Sequence, residues 1–375
     1  MTLLENIMSG EIVWQLGWTL LHFIWQAIAL ALLLAIVLQV LRKSGASLRY
    51  GVACLFLLLM AVLPVATLCT LSVASNSHPT QSPLTAGPAA LTMPVTTPLP
   101  MSMPRASLEA DLPILWQHRL SQLTESALPY LVFAWVLGVT MLSLRHVGAW
   151  ICLQRLRQKQ VSPVSASLEQ VLNTLAHRLK VSRSVQLMES ALVQIPTVIG
   201  WMHPIILLPA TALTGLTTSQ IEVLLAHELA HIHRYDYLSN MLQIAVETLG
   251  FYHPAVWWVS RTIRSERENC CDDLAVAVCG DPKGYAQALA EMEDIRCHQV
   301  ELALAASGGN LLKRVSRLLG KDMPQGTQRY RMHAAIVVAL LFAMAIPTAL
   351  ALSKAHEDDT VPTVLSSSEQ KVHDS

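Results

Sequence analysis

The chain has 375 residues, of which 53% are hydrophobic and 14% are charged, and its mean hydropathy is +0.43. Soluble domains carry about 25% charged residues, so this composition excludes an ordinary soluble protein and indicates one that contacts a lipid bilayer. The 26 basic and 26 acidic side chains cancel, so the chain lacks the basic charge expected of a protein that binds nucleic acid directly. The seven cysteines are odd in number and do not suggest a disulfide framework.

Four stretches are long and apolar enough to cross a bilayer, which takes about 20 helical residues. They cover approximately residues 13–41, 51–74, 128–151 and 333–352. The first is too long for a cleaved leader and is flanked by Glu5 and Glu11 instead of basic residues. We therefore expect it to remain as a membrane anchor.

Lysine and arginine are concentrated in three of the regions that flank these stretches, which predicts the orientation. The basic residues that decide it are Arg42, Lys43, Arg49, Arg145, Arg155, Arg157, Lys159, Lys321, Arg329 and Arg331. The loop 75–127 has only Arg105 and Arg119, and acidic residues dilute them. We expect both termini outside, three spans within 1–154, a cytosolic domain at 155–332, and a disordered outer tail at 353–375.

The segment 155–332 is long enough for one hydrophobic core. Helical periodicity at 167–181 is followed by three short β-like runs, SVQLME, TVIGW and PIILLP, with proline and glycine around them. Ser219 and Glu222 then have the spacing of a capping box, which predicts the start of a new helix there. Its apolar face is formed by Ile221, Leu224, Leu225 and Leu229.

This predicted helix carries His-Glu-x-x-His at residues 227–231. His227 and His231 are one turn apart, so both imidazoles project from the same face and can hold one metal ion. Glu228 lies beside the first histidine, where a carboxylate can take a proton from an attacking water. His233 points away from that face, so we do not expect it to bind the metal. Helical histidines without a metal are the alternative.

A catalytic metal of this type has three protein ligands and one open position, so a third ligand is expected. Glu268 and Asp272 lie four residues apart on a second predicted helix and face the same way. One would bind the metal and the other would orient a histidine. Spacing alone leaves other candidates for the third ligand open, namely Glu266, Asp236, Glu247, Cys270 and Cys271.

Taken together, these features resemble the BlaR/MecR-type family of membrane zinc metallopeptidases, the antirepressors of β-lactam resistance. The matching stretches are TLLHFIWQ, IPTVIGWMHPIILLP, HELAH with HRYD, HPAVWW and RSERENCCD. They extend from residue 18 to about residue 275, and the stretch 333–352 falls where the family has its last span.

The resemblance implies a mainly α membrane protein with four transmembrane helices and a cytosolic α+β zincin-like metallopeptidase domain. It implies Zn²⁺ as the cofactor, with Glu268 as the third ligand and Asp272 as the carboxylate that orients a histidine. It also implies that the TVIGW and PIILLP runs contain an exposed strand that receives the substrate by β-addition.

We therefore expect a zinc-dependent endopeptidase of the bacterial cytoplasmic membrane that cleaves a cytosolic transcriptional repressor, itself, or both. Its partners would be a protein substrate and the bilayer. A quality-control protease acting on damaged membrane proteins would use the same chemistry. A non-enzymatic scaffold with a vestigial site is the other alternative, although the intact Glu228 argues against it.

The sequence departs from the β-lactam-sensing members of the family after the fourth apolar stretch. Those members carry a penicillin-binding domain there, whereas Leu352 is followed by a short polar segment. Ser368 and Lys371 have a Ser-x-x-Lys spacing, but an acylation site needs a rigid pocket around the serine. We expect no covalent capture of β-lactams by this segment.

Overall fold

The protein is mostly helical and contains one small sheet. The computed structural model describes residues 10–76, 107–156, 161–299 and 304–320. The predicted fourth span, the predicted tail, and Ser368 with Lys371 lie outside the described residues. The expectation of a fourth span therefore stays a prediction.

Three long helices come first in the chain. They are α1 (Gly10–Val40, continued by a 3₁₀ turn at Leu41–Lys43), α2 (Ala46–Asn76) and α3 (Ser107–Leu156). Within them Gly10–Lys43, Ala46–Val73 and Ser126–Arg155 are long and apolar enough to cross a membrane. These segments coincide with the first three predicted stretches. The structure also extends α3 back to Ser107, into the region that the sequence analysis treats as the loop 75–127.

The outer surfaces of these three helices are covered by large apolar side chains. Val65, Phe133 and Leu144 are 60%, 70% and 68% exposed, and many neighbours are similar. Soluble proteins do not present apolar surface on this scale to water, whereas acyl chains solvate it well. The helices therefore have the surface of membrane spans.

The remaining elements follow α3 in the chain. They are β1 (Val161–Pro163), α4 (Ala166–Arg178), β2 (Gln186–Ser190), β3 (Thr197–Ile199), β4 (Ile205–Pro209), α5 (Ala210–Gly215), α6 (Thr218–His233), α7 (Asp236–Leu249), α8 (Pro254–Cys279), α9 (Pro282–Gln299) and α10 (Leu304–Leu318).

The four strands form one sheet in the order β1-β2-β4-β3. β2 and β4 are parallel, and both outer pairs are antiparallel. β2, β3 and β4 fall on the three β-like runs of the sequence. β3 is an edge strand, so one of its sides has no partner within the sheet.

The start of α6 differs from the sequence-based prediction. Thr217, not Ser219, is the N-cap: its backbone is extended, and its hydroxyl accepts from the Gln220 backbone N–H at 3.4 Å. The Gln220 side chain returns the bond by accepting from the Thr217 backbone N–H at 2.8 Å. The capping-box spacing is satisfied by Thr217 and Gln220 as well as by Ser219 and Glu222, and the helix uses the earlier pair.

Two apolar cores meet on α8. The first lies between the sheet, α4, α6 and α9, and includes Leu208, Leu229 and Leu289. The second lies between α1, α2, α7 and α8, and includes Leu57 and Val246. The C-terminal half of α8 packs in the first core and its N-terminal half packs in the second. α8 therefore fixes the position of the first core relative to the spans.

Both ends of α8 are set by local sequence. His253 caps its start by accepting from the Ala255 backbone N–H at 3.1 Å, and Pro254 occupies the first turn, where its missing N–H costs nothing. Gly280 ends the helix in the left-handed region, with φ of 78°. Between these signals the helix is long enough to reach from the spans to the candidate site.

Candidate metal centre

Helix α6 presents the two histidines from a firmly packed position. Its apolar face, including Leu225 and Leu229, is fully buried in the first core. This packing turns the opposite face toward α8 and orients His227 and His231 with their Nε2 atoms 3.2 Å apart. The two imidazoles therefore point at the same position in space, as the i, i+4 spacing predicts.

Helix α8 brings Glu268 to the same position. One carboxylate oxygen of Glu268 lies 3.4 Å from His227 Nε2, and the other lies 3.9 Å from His231 Nε2. Two ligand atoms about 2.1 Å from one ion at the tetrahedral angle would be about 3.4 Å apart. The donor set of His227, His231 and Glu268 therefore fits a single four-coordinate metal ion with one open position.

The Nδ1 side of His227 contacts Asp272 and Tyr285. The fully buried Asp272 has Oδ1 at 3.3 Å from His227 Nδ1, and the Tyr285 hydroxyl lies 2.9 Å from the same nitrogen. The hydroxyl donates to Asp272 at 2.6 Å, so it can accept the Nδ1 proton. A proton held on Nδ1 leaves the Nε2 lone pair free to bind a metal.

Arg314 of α10 holds Asp272 in place. Its Nε donates to one Asp272 oxygen at 2.9 Å and its Nη2 donates to the other at 2.6 Å. Its Nη1 also lies 3.5 Å from Glu268. This two-point pairing offsets the cost of burying the Asp272 charge and fixes the plane of the carboxylate.

The Nδ1 side of His231 contacts Asp236 at the start of α7. Asp236 Oδ2 lies 2.8 Å from His231 Nδ1. The chain returns to this point because Tyr235 takes a left-handed conformation, with φ of 56°, between α6 and α7. Such a conformation costs about 1 kcal/mol in a non-glycine residue, so the tight return is held by the surrounding packing.

A second cluster, formed by His231, Asp236 and Cys271, also has the spacing of metal ligands. Burial and the neighbouring Asp236 charge raise the pKa of the Cys271 thiol far above its ordinary value. The thiol stays protonated and donates to Asp236 at 3.3 Å. Asp236 and the Cys271 sulfur both face His231 Nδ1, at 2.8 and 3.3 Å, so this cluster lies behind the imidazole, on the side away from Nε2.

The charges of His227 and Glu268 depend on each other. Burial disfavours the charged form of His227, but the bonds to Asp272 and Glu268 outweigh burial and raise its pKa to about 9. Burial opposes ionisation of Glu268 too, yet the bond to His227 and the nearby charges lower its pKa to about 2. Glu268 therefore carries its negative charge at every physiological pH, as a metal ligand requires.

Glu228 lies half-buried in the wall of a cleft of about 1420 Å³ that also contains the three candidate ligands. Burial raises the pKa of Glu228 above its ordinary value, although the two histidines oppose the shift. A carboxylate with a raised pKa is a better proton acceptor, which suits a general base acting on water. The edge strand β3 lines the same cleft through Thr197, Val198 and Ile199.

The other candidates for the third ligand are occupied elsewhere. Glu266 pairs with Arg49 of α2 at 2.9 Å, and Glu247 pairs with Arg264 at 2.7 Å. Cys270 is buried outside the ligand group. His233, which we do not expect to bind the metal, is exposed and lines a separate small pocket. Among the described residues, Glu268 alone completes a three-ligand group with both Nε2 atoms.

Sequence reasoning missed two residues of this site, Tyr285 and Arg314. Both belong to helices, α9 and α10, that the motifs do not cover. Asp236 was considered as a ligand and not as the partner of His231. The sequence contained one signal for Asp236, its place five residues after His231 in the HRYD stretch. It contained no comparable signal for the other two.

His227, His231 and Glu268 converge on one point, and Glu228, the glutamate of the HExxH motif, lies in the same cleft. Helix α8, which carries Glu268, packs against the long apolar helices α1 and α2. This is the arrangement of a membrane metallopeptidase. A family model described as BlaR1 peptidase M56 matches residues 18–318, and the chain belongs to that family. The earlier resemblance is thereby confirmed.

Individual relatives are distant. Regulatory protein BlaR1 of Bacillus licheniformis is 24% identical over 186 residues, which cover 49% of this chain and 31% of the relative. The methicillin resistance mecR1 protein of Staphylococcus aureus is 23% identical over 259 residues, 65% of this chain and 42% of the relative. The similar region is therefore less than half of each relative. Together with the three apolar helices, these relatives indicate a bacterial membrane protein.

Proposed function

We propose that this protein is an integral-membrane zinc-dependent endopeptidase. The observation that carries the proposal is the convergence of His227, His231 and Glu268, with Glu228 in the same cleft. Nitrogen and carboxylate donors at tetrahedral spacing favour zinc among the common metals. The carboxylates behind each histidine would fix the tautomers that such an ion needs.

The residues divide the chemistry between them. His227, His231 and Glu268 would hold the ion, which when bound supplies a Lewis acid and lowers the pKa of the attacking water toward about 7. Glu228 takes the proton of that water and later delivers it to the leaving amine. An extended substrate would align along the edge strand β3, which has an unpaired side in the sheet and borders the cleft.

The decisive experiment separates chemistry from metal binding. Glu228→Ala should keep about one zinc per chain and lose proteolysis, because Glu228 acts on water and not on the ion. Glu268→Ala should lose zinc as His227→Ala does, since each removes a ligand. Metal analysis of the purified variants and a cleavage assay test both statements. Full zinc occupancy in Glu268→Ala would remove it from the ligand set.

We further propose that the protease transmits a signal, with a cytosolic transcriptional repressor, the protein itself, or both as substrates. Membership of the family and similarity to proteins named as regulatory and methicillin resistance proteins support this role. The proposed orientation has the N-terminus outside and the site in the cytoplasm, in agreement with the distribution of basic residues.

The orientation can be tested with a reporter that is active only in the cytoplasm. Fused after Gln160 or Gly320, it should work; fused at Gly87 or after Ser375, it should be silent. The first two positions flank the metallopeptidase segment, so they report the side on which the site lies. The opposite pattern would place the site outside and exclude cytosolic repressors as substrates.

A quality-control protease that cuts membrane proteins is the second candidate. The cleft is walled partly by Trp150 of α3 and by Met241 of α7, so a substrate in the membrane could reach it. Comparing cleaved proteins in cells with and without Glu228→Ala distinguishes the roles. One cleaved regulator supports signalling, many membrane fragments support quality control, and no difference supports a vestigial site.

A further inference from the structure

The turn between α7 and α8 lies against the middle of α1. The Tyr252 hydroxyl donates to the Leu20 carbonyl at 3.3 Å, and His253 Nε2 lies 2.9 Å from the Ile24 carbonyl. The rings of Phe23 and His253 are also in contact, with centroids 5.6 Å apart. These are residues in the interior of an apolar segment that runs from Gly10 to Lys43.

The same turn lies against the middle of α3. Trp135 Nε1 donates to the Leu249 carbonyl at 2.8 Å. A Cβ at Gly138 would lie only 2.3 Å from the Phe251 ring, so the glycine is what allows the ring to approach the helix. Two different spans therefore hold the tip of the α7–α8 hairpin at the same level.

The other end of the hairpin lies at the beginning of α2. Asp236, the first residue of α7, accepts from the Tyr50 hydroxyl at 3.4 Å. Glu266 of α8 pairs with Arg49 at 2.9 Å. Arg49 follows the basic 3₁₀ turn of Leu41–Lys43, so this end lies level with the charged ends of the first two spans.

The distance between the two ends gives the depth of the tip. At about 1.5 Å per residue, Ile24 is about 29 Å along the helix from Lys43, and Gly138 is about 26 Å from Arg155. The hydrocarbon core of a bilayer is about 30 Å thick. A tip held beside Ile24 and Gly138 is therefore deep in the bilayer if these helices are spans.

We propose that residues 236–263 form a helical hairpin embedded in the bilayer beside the three spans, with acyl chains contacting its outer surface. Its exposed side chains fit that environment: Leu249 is 53% exposed and Trp257 is 38% exposed, next to the apolar surface of α3. Neither hairpin helix is long and apolar enough to be recognised as a span by itself, which is why hydropathy does not reveal it.

Buried polar groups near the centre of the hairpin bond to one another or to Arg264, the next residue of α8, as a bilayer requires. Buried Gln243 donates to the Ser260 carbonyl at 3.0 Å, and Ser260 donates to Glu247. Glu247 also accepts from Arg264 at 2.7 Å. Arg261 is exposed, but it lies about 7.5 Å along the helix from Glu266, so its long side chain can reach the charged boundary.

The embedded hairpin changes the expected surroundings of the catalytic cleft. Leu238 and Met241 of α7 line the cleft opposite Trp150 of α3, and both helices would be in the bilayer at this point. If the proposed proteolysis is correct, its substrates are polypeptide segments that lie at the membrane surface. The location of the hairpin itself does not depend on that activity.

The location can be tested by photocrosslinking to lipid. A benzophenone amino acid replaces Leu249 or Trp257 in the full chain, in nanodiscs of palmitoyl-oleoyl phosphatidylcholine and phosphatidylglycerol. Leu144, on the exposed surface of α3, is the positive control, and Gln170, exposed on α4, is the negative control. Mass spectrometry after illumination measures the fraction of each protein that carries a phospholipid.

The proposal predicts about tenfold more lipid adduct at Leu249 and Trp257 than at Gln170, close to the yield at Leu144, since an embedded side chain is surrounded by acyl chains. Using two positions guards against one substitution disturbing the fold, which gel filtration of each variant checks. Yields at Leu249 and Trp257 as low as at Gln170, with a high yield at Leu144, would overturn the hairpin. A low yield at Leu144 would overturn both the spans and the hairpin. Neither outcome depends on proteolysis.

Discussion

The two histidines of the candidate metal centre are supported from opposite directions. His227 rests on Asp272, Tyr285 and Arg314, which belong to α8, α9 and α10. His231 rests on Asp236, which is in turn contacted by Tyr50 of α2. The support of His227 therefore comes from α8, α9 and α10, whereas the support of His231 comes from Asp236 of α7, which contacts Cys271 of α8 and Tyr50 of the apolar helix α2.

The two supports also differ in how tightly they are built. Asp272 is fully buried and holds two short bonds from Arg314, whereas Asp236 has longer contacts, 3.4 Å to Tyr50 and 3.5 Å to Arg234. A fully buried carboxylate depends on its cation for its stability. The difference indicates that the contacts behind His227 contribute more to the free energy of folding. The contacts behind His231 are more easily altered by movement of α2.

The largest expected effect comes from removing the tighter support. Asp272→Ala removes the two shortest bonds of the largely buried Arg314, which keeps only longer contacts, such as that with Glu268 at 3.5 Å, and it leaves His227 without its orienting carboxylate. We expect a loss of about 3–5 kcal/mol in the free energy of unfolding, as for other broken buried pairs. We also expect a loss of up to about 100-fold in zinc affinity. Denaturant unfolding and competition with a chromophoric chelator measure the two quantities.

Asp236→Ala is the matched change on the other side. It should weaken zinc by about 10-fold, the lower end of the range for such carboxylates, with a smaller loss of stability than Asp272→Ala. If both variants lost the same stability, the proposed asymmetry between the two supports would be wrong.

The second prediction isolates the arginine. Arg314→Gln should cost roughly 2–4 kcal/mol in the free energy of unfolding, because the buried Asp272 loses its two-point pairing and keeps only Tyr285 and His227 as donors. Arg317→Gln is the control on the same helix: Arg317 pairs with Asp273, but those side chains are 33% and 50% exposed. An exposed pair contributes about 0–1 kcal/mol. Equal losses in the two variants would show that Arg314 is an ordinary surface residue in solution.

The smallest expected effect is on the number of protons released when zinc binds. Because the pKa of His227 is raised to about 9, this histidine carries a proton at pH 7 when no metal is bound. Binding requires its Nε2 lone pair, so zinc should displace about one proton from His227 at pH 7, in addition to any proton lost by the attacking water, and the share from His227 should fall toward zero as the pH rises past 9. Calorimetric titrations in buffers of different ionisation enthalpy measure it. A total release below about one proton at pH 7 would contradict the raised pKa.

Much of the candidate site could be read from the sequence because its spacing is local. His227 with His231, and Glu268 with Asp272, are each four residues apart on one helix, and a helix places such pairs on one face whatever surrounds it. The three apolar stretches could be read for a similar reason, since length and hydropathy decide whether a helix can cross a bilayer. The start of α6 was misplaced by two residues because two overlapping pairs have the same capping spacing.

What the sequence by itself determined is therefore the three long apolar helices, helix α6, and the residues that α6 and the second half of α8 present on one face. The tertiary structure decided which faces meet. It turned Glu268 toward His227 and His231 of α6, and it turned Glu266 toward Arg49. It brought Arg314 to Asp272 across 42 positions of the chain, and it packed the α7–α8 hairpin against α1 and α2. No local pattern encodes these contacts, because they depend on the angles and distances at which whole helices pack, and those are set by the combined side chains of both cores.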